Sequence, residues 1–221
     1  MIRFILTALW LVASALPLRA EIAIQEVTSP GGIRAWLVEE HSIPFTALEI
    51  RFRGGTSLDA AGKRGAIYMM TGLLEEGAGD LDAQAFAKAR EALAADFSFD
   101  AHGDALSVSA RFLTENSAAS VDLLRSALIA PRFDPDAVDR VRAQVVSIIA
   151  GDLKDPDEIA RNAFDEMAFG THPYGTASTG TTDGVNRLTR DDMIEAKART
   201  MTRDRVVVAA VGDISAAPPG W

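Results

Sequence analysis

Between Pro44 and Arg53 the chain alternates. Thr46, Leu48, Ile50 and Phe52 fall on one side, and Phe45, Ala47, Glu49 and Arg51 on the other. A period of two marks a strand with one face turned to a core, and a lone strand cannot hide that face. Candidates for its neighbours lie on both sides in the sequence. Residues 22–28 (IAIQEVT) and 33–40 (IRAWLVEE) read as two strands joined through SPGG in a hairpin turn. Further on, FSFDA and ALSVSARF flank His102-Gly103-Asp104, a tight-turn sequence. A last strand, RVVVAAVG, closes the pattern.

Helical spacing fills the gaps. Ile67, Met70 and Leu74 repeat at that spacing, as do Ala66, Met69 and Leu73, which predicts a helix over 64–76. Asp82 is placed to cap a second over 82–95, and a third covers 117–130. Asp134-Pro135 opens the next, with Pro135 at the first helical position. Asp155-Pro156 opens another, where Glu158 suggests a capping-box-like arrangement. Thr189 caps a helix near 190–202, with Asp192 three residues on. The order is three strands, two helices, two strands, several helices and one strand. It predicts an α+β fold, a mostly antiparallel sheet with helices packed on one face.

With no cysteine, the chain has neither disulfides nor thiolate ligands and relies on its apolar core. The first twenty residues read as a secretory signal peptide. Arg3 supplies the basic end, Phe4 to Leu16 the apolar run, Pro17 a break, and Ala20 a small residue before the cut. The competing reading, a retained anchor, calls for roughly 20 apolar residues, more than this run provides. No later segment spans a bilayer, so no stable membrane span is expected once the signal is cleaved. Across the chain 22 Lys and Arg face 31 Asp and Glu, a formal charge of −9. Losing residues 1–20 removes Arg3 and Arg19 and no acid. Such a surface argues against nucleic acid and anionic membranes as partners.

Chemistry-bearing patterns are sparse. The three histidines, His41, His102 and His172, are far apart, each beside a turn-forming Ser, Gly or Pro. Loop histidines with solvated side chains account for them better than a metal site does. GTASTG around Ser178 is not a G-x-S-x-G elbow, and no Gly-rich phosphate loop is followed by a Lys. Asp191-Asp192 and Asp155-Asp157 sit at helix starts, where they favour the helix dipole. Glu75 and Glu76 read as a solvated helix end before Gly77.

Three stretches resemble the N-terminal domain of the pitrilysin/insulinase peptidases, the M16-type zinc peptidases that include the mitochondrial processing peptidase subunits. RGGTSLDAAGKRGAIYMM looks like that family's approach to its zinc helix. THPYGTASTGTTDGVNRLTRDDM looks like its His-Pro-Tyr-Gly loop and capped helix, and RVVVAAVGDI like its closing strand. GDLKDPDEIARNAF fits its linked helix pair. The resemblance implies the LuxS/MPP-like metallohydrolase scaffold over residues 21–215. It also implies that a second, similar domain is absent from this chain, which ends in a short tail, residues 216–221.

Active members carry His-x-x-Glu-His on that first helix: two imidazoles at i and i+4 bind zinc and the glutamate activates its water. Aligned through Gly65, those positions are Tyr68, Thr71 and Gly72. The later glutamate ligand should fall near Ser147, where no acid lies before Asp152. The resemblance therefore implies a degenerate, non-catalytic member with no zinc cofactor. Tyr68, Thr71 and Gly72 are left either packed together or lining a peptide cavity, and His172, Pro173, Tyr174 and Gly175 form a structural loop. The expected role is an exported, periplasmic subunit that helps an active M16-type zinc peptidase bind or cut peptides, or else associates with itself. A stand-alone structural or peptide-binding protein is the alternative, and an active zinc endopeptidase ranks last.

Overall fold

The computed structural model describes residues 23–216. The expected signal peptide, residues 1–20, lies outside them, as does the tail from residue 217 on.

The alternating segment becomes β3 (Phe45–Arg53), and it sits inside a six-stranded sheet. The other strands are β1 (Gln25–Thr28), β2 (Arg34–Glu39), β6 (Asp96–Ala101), β7 (Ala105–Leu113) and β8 (Val206–Gly212). Their order is β1-β2-β8-β3-β7-β6. Four of the five pairings are antiparallel, as expected; β2 and β8 run parallel, with Ala35 opposite Val208 and Val38 opposite Val211. The closing strand thus enters the sheet between β2 and β3. A separate two-stranded hairpin, β4 (Gly77–Ala78) with β5 (Leu81–Asp82), was not anticipated.

Seven helices complete the described residues: α1 (Ala66–Gly72), α2 (Ala83–Ala92), α3 (Ser117–Ile129), α4 (Pro135–Asp152), α5 (Pro156–Phe169), α6 (Thr182–Asn186) and α7 (Arg190–Thr200). One sheet face carries the core. Thr46 and Phe52 of β3 and Leu106, Val108, Ala110 and Phe112 of β7 are buried there, with Met70, Leu73, Leu124 and Val141 from the helical layer. On the other face Glu49 accepts from the Ser109 hydroxyl at 2.5 Å, and Trp36 and Val211 stay exposed.

Helix boundaries differ where local contacts intervene. The helix expected over 64–76 stops at Gly72, because Gly77 (φ 111°) turns the chain into the β4–β5 hairpin. Leu73 and Leu74 still reach the core from a turn, both fully buried. Asp82 and Thr189 cap as read, and Asp192 closes a full capping box. Asp155 accepts from the Asp157 amide, whereas Glu158 pairs with Arg161 instead of completing a box. The Asp134 carboxylate is held by Arg132 at 2.7 Å and does not cap α4.

Candidate functional site

The helix that the resemblance assigns to the zinc-helix slot, α1, is fixed at its start by a part-buried ion pair. Asp59 accepts from the Gly65 amide and the Ile67 amide, both at 2.9 Å, so one carboxylate satisfies two of the free N–H groups at the helix start. Arg64 lies beside it at 3.4 Å. Burial raises the Asp59 carboxyl above its ordinary value, although both amides and the guanidinium pull it down. Burial likewise lowers Arg64. The guanidinium donates to the carbonyls of Ala177 (3.1 Å), Pro173 (3.0 Å), Thr176 (2.8 Å) and Thr56. One side chain therefore ties α1 to the loop over 173–177.

Backbone contact tightens the same junction. Gly65 (φ 95°) and Gly180 (φ 78°) meet so closely that a Cβ on Gly65 would stand 2.5 Å from the Thr179 carbonyl oxygen. A Cβ on Gly180 would stand 2.4 Å from that of Arg64. Only glycine fits both the space and the dihedral. Lys63 adds an ion pair to Asp192 of α7 at 2.9 Å.

The stretch His172-Pro173-Tyr174-Gly175 forms a tight turn. His172 Nδ1 accepts from the Tyr174 amide at 3.2 Å, and a 3₁₀ turn covers Pro173–Gly175. Tyr174 stacks edge-on against Phe169 and His172, and its hydroxyl donates to Asp104 in the β6–β7 turn. His102 lies in that turn, and His41 sits at the other end of the sheet, bonded to Asp213 at 2.7 Å. The three histidines are not brought together. Glu75 and Glu76 are paired with Arg90 and Arg140, both at 2.5 Å, rather than simply solvated.

On α1 the motif positions have separate environments. Tyr68 is half-buried and packs against the core. Thr71 is only 3 % exposed, and its hydroxyl donates to the Tyr68 carbonyl at 2.7 Å, as helical threonines do. Gly72 is exposed at the helix end, where a Cβ would meet Val141 of α4 at 3.2 Å. Ser147 is exposed on α4. A phenol, two hydroxyls and a hydrogen do not make a zinc donor set, which calls for imidazole, thiolate or carboxylate. The described residues hold no group of three or more His, Asp or Glu placed to share one ion.

A cleft of about 380 Å³ lies beside this junction. Arg64, Thr56, Tyr174 and the 176–179 loop form one wall, and Asp152, Glu158, Arg161, Asn162 and Asp165 the other, with three acids against one base. Sequence reasoning missed the Asp59–Arg64 hub and this acidic wall. An acid seven residues ahead of a helix is no capping signal, and Arg64 has partners more than a hundred residues away.

No family model matches the chain. It is 26 % identical over 176 residues to a protein of Helicobacter pylori called the non-peptidase homolog YmxG, covering 80 % of this chain and 41 % of that one. It is 26 % identical over 189 residues to an uncharacterized zinc protease of Mycobacterium leprae, covering 85 % and 42 %. Among solved structures, the peptidase M16 inactive domain from Pseudomonas fluorescens superposes with a TM-score of 0.83 at 27 % identity, over 87 % of this chain and 47 % of that one. The periplasmic protease PqqL of Escherichia coli shares the fold at 14 % identity and a TM-score of 0.77, over 91 % of this chain and 23 % of its own. The chain spans less than half the length of each.

Proposed function

We propose that this chain, similar to a non-peptidase homolog and to an M16 inactive domain, is a degenerate, non-catalytic M16-type peptidase domain that serves an active zinc peptidase as a peptide-holding subunit. One observation carries the reading: the scaffold around α1 is intact, yet Tyr68, Thr71, Gly72 and Ser147 occupy every position where the resemblance puts a ligand or base.

The sheet offers a place for a peptide. β6 is the last strand of the six, and α1 packs against it. An edge strand presents unpaired amides and carbonyls to which an extended peptide can add as a further strand. Tyr68, half-exposed on α1, then lies near the added strand as a side-chain contact. Holding is all this arrangement supplies; cleavage belongs to the partner. Residues 1–20 read as a signal, and PqqL is a periplasmic protease, which supports placing the pair in the periplasm.

The test is reconstitution. The full chain is purified, dialysed against zinc, and assayed for metal content and peptide hydrolysis, alone and with an active M16 peptidase from the same cells. The expected result is no retained zinc, no hydrolysis alone, and faster or altered cleavage by the partner. Stoichiometric zinc with EDTA-sensitive hydrolysis by the chain alone overturns the reading, as does an indifferent partner.

A further inference from the structure

α5 is an amphipathic helix that faces the wrong way for a core element. Ile159, Ala160, Ala163, Phe164 and Met167 fall on one side at helical spacing. That side points to solvent: Ile159 is 49 % exposed, Phe164 61 % and Met167 81 %. The opposite side, Glu158, Asn162 and Asp165, is the half-buried one and lines the acidic cleft. No residue of α5 is buried, and the helix packs chiefly on the Pro173–Gly175 turn. A contiguous exposed apolar face of this kind marks an interaction surface.

Charge selects the occupant. Residues 152–169 hold six acids against two bases, and one of those bases, Arg161, is already paired with Glu158. Asp157 and Glu166 border the apolar face and have no ion-pair partner among the described residues. A second copy would bring the same surplus of carboxylates to the contact and be repelled. We infer that α5 docks an amphipathic helix of a partner polypeptide whose apolar seam is flanked by Lys or Arg. This deepens the subunit reading and rests on it, since α5 becomes the surface by which the chain holds its partner.

The probe is a labelled synthetic helix with a Leu/Ala seam flanked by lysines, compared with a glutamate-flanked counterpart, both titrated with the full chain. The lysine probe should bind about tenfold tighter or better, and less tightly as salt is raised. F164D/M167D should weaken it by about tenfold or more with the circular dichroism unchanged. D157K/E166K should reverse the preference between probes. Equal binding of the two probes, indifference to both variants, or a homodimer or neutral-vesicle contact through Phe164 and Met167 overturns the inference. If wild type and F164D/M167D stimulate the active peptidase alike, the subunit reading stands and α5 drops out of it. If neither stimulates, the subunit reading itself fails.

Discussion

α1 begins two residues after Arg64, on one wall of the cleft whose other wall α5 supplies, and the two helices are held in opposite ways. α1 has seven residues, five of them buried, and its first turn is fixed by Asp59, Arg64 and the Gly65–Gly180 contact. α5 has fourteen residues and none buried. The first helix is held by the core, and the second keeps its apolar side exposed. Packing against the core fixes α1 whatever Tyr68, Thr71 and Gly72 do, whereas the apolar side of α5 is left exposed.

The contrast breaks if Arg64 proves dispensable. Arg64→Ala should cost about 3–4 kcal/mol, because it strands the buried Asp59 and frees four carbonyls; urea unfolding with an unchanged m-value measures it. Gly180→Ala should cost about 2 kcal/mol through the clash with the Arg64 carbonyl and the positive φ, read as a lower melting temperature. Phe164→Asp on α5 should move the same unfolding curves by less than about 0.5 kcal/mol; a loss as large as that of Arg64→Ala would mean α5 is a core element after all. The smallest effect lies far from both helices. Hydrogen bonds that the imidazolium donates to Asp213 and then to Glu39 raise His41 above its ordinary value of 6.5. The stability from this contact is fully present below that ordinary value and is lost as pH rises through the raised one. An NMR titration should show the raised His41, and Asp213→Asn should return it toward the ordinary value.

Much of this was legible in the sequence. Alternation in β3 and the turn residues after β1 and β6 gave strands and hairpins, since those signals are local. The flanking motifs assign Tyr68, Thr71, Gly72 and Ser147 to ligand positions only through the resemblance. What stayed hidden is non-local. Periodicity shows that Ile159, Phe164 and Met167 share a face, but it cannot show whether the domain's own core covers that face. The role of Arg64 depends on carbonyls from Thr56 to Ala177. The early stop of α1 depends on a hairpin two residues per strand long, below the length at which alternation can be recognised.

The place of β8 in the sheet sets an order of assembly. Among the described strands, β1 and β2 join the rest only through β8, because β2 pairs with β1 and β8 alone. The first hairpin cannot be anchored until residues 206–212 exist to receive it. Closing that gap spans most of the described chain, and long-range pairing of this kind slows folding. A ribosome that has delivered every helix has still delivered an unfinished sheet, with β3 open along one side. The open edge of β3 is closed only when its last strand arrives.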